Sequence, residues 1–292
     1  MTEQQNSGLG WGIRWPAPAK LNLTLRIVGQ REDGYHLLQT VFQIIDITDG
    51  LTFTRVDDDR VRLAKTIPGV KEEDDLTVRA ANLLKQETGY QGGVCISIEK
   101  NLPMGGGLGG GSSDAATVLV VLNQLWQLGV TEQRLMELGV ALGADVPVFI
   151  KGISTWAEGV GEKLTEIKLP DAWFVVLKPQ CHVDTGKIFS AKELTRDSKS
   201  ITIADFNSGQ NQNDCTDIVK KQYIEVRQAL DELAKYGQAR LTGTGACVFV
   251  QFSDQASARS VYNDLASDRE VYIAQGLAIS PLHKQMGELF NF

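Results

Sequence analysis

From Ala17 to Ile27 apolar and polar residues alternate. Leu21, Leu23, Leu25 and Ile27 fall on one side, and Lys20, Asn22, Thr24 and Arg26 on the other. A period of two predicts a strand with one buried face and one solvated polar face. Arg31–Gly34 reads as a turn, with Gly34 suited to positive φ. A second extended stretch follows over 35–47, and two shorter strand-like pieces lie near 51–56 and 60–63. The spacing of Leu76, Ala80, Leu83 and Leu84 predicts a helix, and Val94–Ile98 a short strand. Ala115, Val118, Leu119, Leu122, Leu125 and Trp126 trace one face of another helix, with Ser112 or Ser113 as its cap. Thr131 is placed to cap a third helix carrying Leu135, Leu138 and Leu142, ended by Gly143.

The second half mixes the same elements. Trp173–Leu177 predicts a buried strand ended by Pro179, residues 191–214 a polar loop region, and Val219, Tyr223, Val226, Leu230 and Leu233 one long helix. Leu241 and Ala246–Phe252 predict a hairpin around Thr242–Gly245, followed by a helix over 256–265 and a strand over 271–274. Helices and strands restart near 160–170, so the expected class is α/β (α+β) with domains at 1–165 and 166–292.

Composition narrows the classes. Of 292 residues, 42% are hydrophobic and 22% charged, which is globular. A net charge of −7 disfavours a nucleic-acid-binding surface. No apolar run approaches the roughly 18 residues of a membrane helix, and residues 1–10 have no signal-peptide core. Cys95, Cys181, Cys215 and Cys247 are far apart and form no C-x-x-C, so reduced thiols in a cytoplasm are expected. The three histidines, His36, His182 and His283, make no zinc pattern.

The strongest chemical signal is Pro103–Met104–Gly105–Gly106–Gly107–Leu108–Gly109–Gly110–Gly111–Ser112–Ser113–Asp114. Six glycines in seven positions cost backbone entropy, and they sit between a strand and a periodic helix. Backbone N–H groups that approach closely, together with the helix dipole, make a phosphate site. A Walker A loop needs Lys where Ser112 stands. A dinucleotide fold needs a strand after the helix, but a second helix follows.

Pro103–Ser113 resembles the central motif of the GHMP small-molecule kinases. Pro18–Leu23 resembles the family's first motif and Leu241–Phe249 its third. Gly34–Tyr35–His36, Leu142–Phe149 and Glu158–Glu162 resemble the branch whose substrate is a cytidylylated methylerythritol. The likeness runs from Trp15 to about His283. It implies two α/β domains with the site in the cleft between them. The implied reaction moves the γ-phosphate of ATP, with Mg²⁺, to the substrate's 2-hydroxyl, a step of the non-mevalonate route to isoprenoid precursors. The implied partner is a small molecule, with neither nucleic acid nor membrane, and the chain a monomer or homodimer.

By the same resemblance, Pro103–Ser113 bind ATP, Asp145 is the general base, and Lys20 sits beside it to stabilise developing charge. Asn22 and Thr185 contact substrate, His36 pairs with cytosine, and Tyr35 and Phe189 flank the base. No protein ligand to metal is assigned. On local grounds alone Asp145 caps the turn at Val146–Pro147, and Thr242–Gly245 is either a hairpin turn or a cover over the transferred phosphate. Lys100 lies either near the nucleotide or on the surface. Asp75 stands where the family more often has Asn. An ionised Asp cannot donate to adenine but can cap a helix.

Overall fold

The computed structural model describes residues 8–291; the opening seven residues of the polar start lie outside them. The chain begins with two long antiparallel strands, β1 (Arg14–Gln30) and β2 (His36–Val56). The two pieces expected after the first hairpin are therefore the end of β2, unbroken, and a separate β3 (Val61–Leu63). A 3-10 turn at Glu72–Asp74 leads into α1 (Leu76–Thr88), followed by β4 (Gly93–Glu99). Then come α2 (Gly110–Leu125), α3 (Glu132–Leu142), α4 (Val146–Lys151), β5 (Thr155–Glu158) and β6 (Lys163–Glu166).

The second half runs β7 (Trp173–Lys178), α5 (Thr185–Ser190), α6 (Ile203–Asn207), α7 (Thr216–Gln222) and α8 (Ile224–Leu233). It ends with β8 (Arg240–Leu241), β9 (Val248–Phe252), α9 (Gln255–Leu265), β10 (Glu270–Leu277) and α10 (Pro281–Phe290). The single helix expected over 219–233 breaks at Tyr223, whose backbone is extended (φ −125°, ψ 101°). Its apolar spacing continues across the break, which is why periodicity alone does not reveal it.

One sheet links both halves in the order β3-β4-β2-β10-β7-β9-β8, with β1 and β5 also paired to β2. Among the described residues the named strands pair antiparallel, except β3 with β4. The two halves meet through a short pairing, Gly276 with Ile45 and Leu277 with Ile44. The polar face of β1 is not solvated. Lys20, Asn22, Thr24 and Arg26 are buried, Lys20 against Gly107 and Asp145 of the first half and the others against the second half. Asn22 N donates to Thr242 Oγ1 at 3.0 Å and Thr24 Oγ1 to Gln212 O at 2.7 Å. These partners lie about two hundred residues away in sequence, so alternation could mark the face but not its cover.

Helices α1–α4 pack on one face of β2 and β4 around Phe42, Phe53, Leu119 and Phe149. Helix α10, from the end of the chain, adds Leu282 and Met286 to this same core, and Phe290 stacks on Trp15 at 6.2 Å. A second core lies under β7 and β9. A third, with Leu21, Leu102, Leu108, Phe174 and Phe249, joins the halves.

His283 ties α10 to α4. Its Nε2 lies 2.8 Å from Ile150 O and its Nδ1 3.0 Å from Ser280 Oγ. Burial holds its pKa below the ordinary 6.5, against the weaker opposing effect of the Ile150 bond. A His that folds preferentially neutral contributes stability in full above pH 6.5, and that contribution is lost as pH falls below it. The melting-temperature advantage of wild type over His283→Gln is therefore expected to shrink from pH 7 to pH 5. A difference that is flat or grows on acidification contradicts the neutral docked imidazole.

Candidate active site

Three adjoining cavities run along the junction of the halves. The first, of 490 Å³, lies over the glycine-rich loop and the start of α1. The second, of 240 Å³, lies between β1, the loop and the Thr242–Thr244 turn. They share Gly107, Ser112 and Asp145 as a common wall. The third, of 440 Å³, opens at the β1–β2 turn and shares Leu38, Ala144, Val160 and Phe189 with the second.

The loop is shaped by what it touches. Gly105, Gly107 and Gly109 have φ of +67°, +77° and +76°. A side chain at Gly107 would collide with the Thr242 carbonyl, and one at Gly109 would lie 2.8 Å from Phe149. Leu108, the loop's apolar residue, is buried in the third core. Its carbonyl accepts from Lys20 N at 3.0 Å. Gly110 and Gly111 differ: a Cβ there meets neighbours only at 3.5 Å. Both open α2, and both line the first cavity.

Gly109 is the cap residue of α2 and offers no side-chain cap, so neither Ser112 nor Ser113 plays that part. The first turn's N–H groups, at Gly110, Gly111 and Ser112, precede Ser113 N, which bonds Gly109 O at 2.8 Å. Pro103 to Ser112 all line the first cavity. Ser113 does not: it is fully buried and its hydroxyl has no partner.

Lys20 is 2% exposed. Its ammonium lies 3.1 Å from Asp145 Oδ2 and donates to Asn22 Oδ1 at 2.6 Å and Gly107 O at 3.1 Å. Asn22 in turn donates to Thr40 Oγ1 at 2.8 Å. Register shifts in the β1–β2 ladder at Pro18/Ala19 and Asn22/Thr24 flank this pair. Asp145 precedes Val146 and Pro147 at the start of α4, yet its side chain makes no cap bond. It turns to Lys20 instead. Thr185 Oγ1 lies 2.8 Å from Thr244 Oγ1, and both line the second cavity with Asn22.

At the open end His36 and Phe189 lie ring to ring, with centroids 5.0 Å apart and planes tilted by 34°. Burial, and then the charge of Arg196, holds the His36 pKa down. Tyr35 lines the same cavity but is 64% exposed and stands at its rim.

Asp75 is the cap of α1, accepting from Thr77 N at 2.8 Å and from its hydroxyl, and it also lines the first cavity. Lys100 is no surface lysine. It bridges Asp49 and Asp114, the latter at 2.8 Å, in the wall of that cavity. Burial pushes the Asp114 carboxyl up to about 7, opposed by Lys100 and reinforced by Asp49. Asp49 also accepts from Asn101 N and Leu102 N at 2.6 and 2.7 Å, which fixes the entry to the loop. The sequence reading missed Asp49 and Arg196, since neither lies in a motif.

Profiles of the GHMP kinases N-terminal domain and the GHMP kinases C-terminal domain match residues 75–152 and 191–269. The chain belongs to the GHMP kinase family. Within that family it is 52% identical over 277 residues to the 4-diphosphocytidyl-2-C-methyl-D-erythritol kinase of Methylococcus capsulatus, covering 94% of this chain and 95% of that one. It is 51% identical over 282 residues to the protein of that name from Marinobacter nauticus, covering 95% and 98%. Its fold matches a crystal structure of 4-(cytidine 5'-diphospho)-2C-methyl-D-erythritol kinase with a TM-score of 0.78 at 30% identity, over 91% of this chain and all of the other. The GHMP fold extends further, to the Methanococcus jannaschii mevalonate kinase at a TM-score of 0.66 and 15% identity, over 92% of this chain and all of the other.

The two kinds of glycine predict different failures. Gly107→Ala is expected to lower the melting temperature and expression. Gly111→Ala is expected to leave the melting temperature nearly unchanged while weakening ATP binding about tenfold or more, if the first cavity at the start of α2 takes the phosphates, because the new methyl enters it. Calorimetry and ATP titration check both, and normal ATP affinity in Gly111→Ala contradicts the assignment of that space.

Proposed function

We propose that this chain transfers the γ-phosphate of ATP to the 2-hydroxyl of 4-diphosphocytidyl-2-C-methyl-D-erythritol, giving the 2-phosphate and ADP. The observation that carries the reading is the Lys20–Asp145 pair, with Asp145 on the wall common to the first two cavities and Lys20 lining the second. Names carried by relatives about half identical over nearly the whole chain support the same substrate.

ATP occupies the first cavity, its phosphates against Gly110, Gly111 and Ser112 at the start of α2. Phosphoryl transfer is mostly positioning and charge stabilisation. The acceptor hydroxyl lies in the second cavity beside Asp145, which takes its proton as it attacks. The Lys20 ammonium stabilises the charge that gathers there. Asn22 holds Lys20 in place, and Thr185 with Thr244 lines the acceptor's far side. The cytosine lies in the third cavity, read by His36 and packed by Phe189, with Tyr35 closing from the rim. Base stacking of this kind contributes about 1–3 kcal/mol.

Mg²⁺ accompanies ATP. The oxygen donor of Ser112, on the shared wall, suits a hard cation that keeps water and phosphate as its main ligands. When bound, that ion neutralises phosphate charge. Residues 1–165 hold the nucleotide and residues 166–292 complete the substrate side. Within the latter, α10 serves the first half's core. Among the described residues no helix is long and apolar enough to cross a membrane, and we place the enzyme in the cytoplasm, where its four free thiols stay reduced.

ADP release from Mg·ATP is expected with 4-diphosphocytidyl-2-C-methyl-D-erythritol and not with mevalonate or homoserine. Release with a control alone would retain the kinase and overturn the substrate. Asp145→Asn is expected to lower kcat by about 100-fold or more while ATP still binds. Turnover near wild type in that variant removes Asp145 as the base.

A further inference from the structure

Arg196 lies between α5 and α6, where nothing in the local sequence marks it. Its guanidinium makes four hydrogen bonds. Nη2 donates to Phe189 O and Ala191 O, both at 2.8 Å, and Nη1 to Leu194 O at 3.0 Å. These bonds satisfy carbonyls at and beyond the end of α5, the helix that carries Phe189 and Thr185. The fourth bond crosses to the other half of the molecule: Nε donates to His36 Nε2 at 3.1 Å.

That bond constrains the imidazole. A guanidinium has donors and no acceptor, so His36 Nε2 must present a lone pair. The proton of the neutral ring then sits on Nδ1. Burial and the neighbouring positive charge both act against a second proton on the ring. Nδ1 is thus the nitrogen left for a ligand, and it can only donate. The same guanidinium grips the main chain of Phe189, the ring 5.0 Å from His36.

We propose that Arg196 is a positioning residue for base selection, which fixes His36 in the Nδ1–H tautomer so that the site accepts cytosine and rejects uracil. The inference rests on the reading of His36 as the residue that faces the base. Ring atom N3 is an acceptor in cytosine and carries a hydrogen in uracil. A fixed Nδ1–H pairs with the first and meets the second donor to donor. With Arg196 gone, the proton is free to move to Nε2, and Nδ1 becomes an acceptor that uracil satisfies. A site built around one hydrogen-bond pattern discriminates strongly, because the wrong base leaves desolvated polar groups unpaired.

The test begins with the wild-type protein. Long-range ¹H–¹⁵N spectra of its three histidines, with His36→Ala for assignment, read the tautomer directly. A protonated Nδ1 and bare Nε2 are expected. An Nε2–H ring in wild type overturns the inference whether or not any Arg196 variant folds. Next, kcat/KM is compared for the cytidine and uridine diphosphate forms of the substrate. Wild type is expected to favour cytidine by about 100-fold or more. Arg196→Met is expected to cut that ratio about tenfold or more, through KM rather than kcat, and to mix the tautomers. Arg196→Lys, which keeps a donor, restores part of the ratio. Equal losses on both substrates, with ratio and tautomer unchanged, make Arg196 a brace for α5 only and overturn the proposal alone. A cytidine preference that is absent in wild type, or intact in His36→Ala, defeats the reading of His36 and the inference with it.

Discussion

A buried ammonium organises this molecule. Lys20 has almost no access to water, and an unpaired charge in such a place costs several kcal/mol. Its acceptors come from three separate elements: Asn22 on β1, the Gly107 carbonyl in the loop, and the Asp145 carboxylate before α4. Each must arrive for the cation to be tolerated. The loop can deliver its carbonyl only by turning through positive φ at Gly107, which explains a glycine there on grounds of folding alone. The arrangement that makes Lys20 bearable also places a carboxylate between the two cavities, so folding and the proposed catalytic geometry share one requirement.

The glycine-rich loop is consequently not a property of the first half by itself. Ala246 N donates to Gly105 O at 3.3 Å and Cys247 N to Gly106 O at 3.0 Å, so two glycine-rich segments from opposite halves lie side by side. Thr242 reaches Asn22 from the same turn. The glycines of this loop thus have two employments. The early ones fit against the second half, and the later ones, Gly110 and Gly111, leave space over the start of α2.

Much of this was legible in the chain. The glycine run, the Thr131 cap and the alternation of β1 each follow from local stereochemistry, and the structure has the loop, the capped helix and the strand where they were expected. The role of the polar face of β1 was not, because its partners Thr242, Gln212 and Lys199 are remote in sequence. Asp145 reads locally as a cap, yet its side chain goes to a lysine 125 positions earlier. Arg196 was invisible for the same reason: a lone arginine in a polar loop carries no pattern, and its meaning appears only where His36 is brought against it. Helix α10 escaped notice because a ten-residue amphipathic segment at the end of a chain has little to distinguish it until the core it covers is known.

That helix also bears on how the protein is made. The surface formed by Trp15 and its neighbours on β1 and α2 is covered by Leu282, Met286 and Phe290. A nascent chain that has not yet delivered residues 281–290 cannot finish the core laid down by its first hundred and fifty residues. The half built from β1–β6 and α1–α4 therefore leaves the ribosome with an apolar seam still open, and the seam can shut only once residues 281–290 have followed.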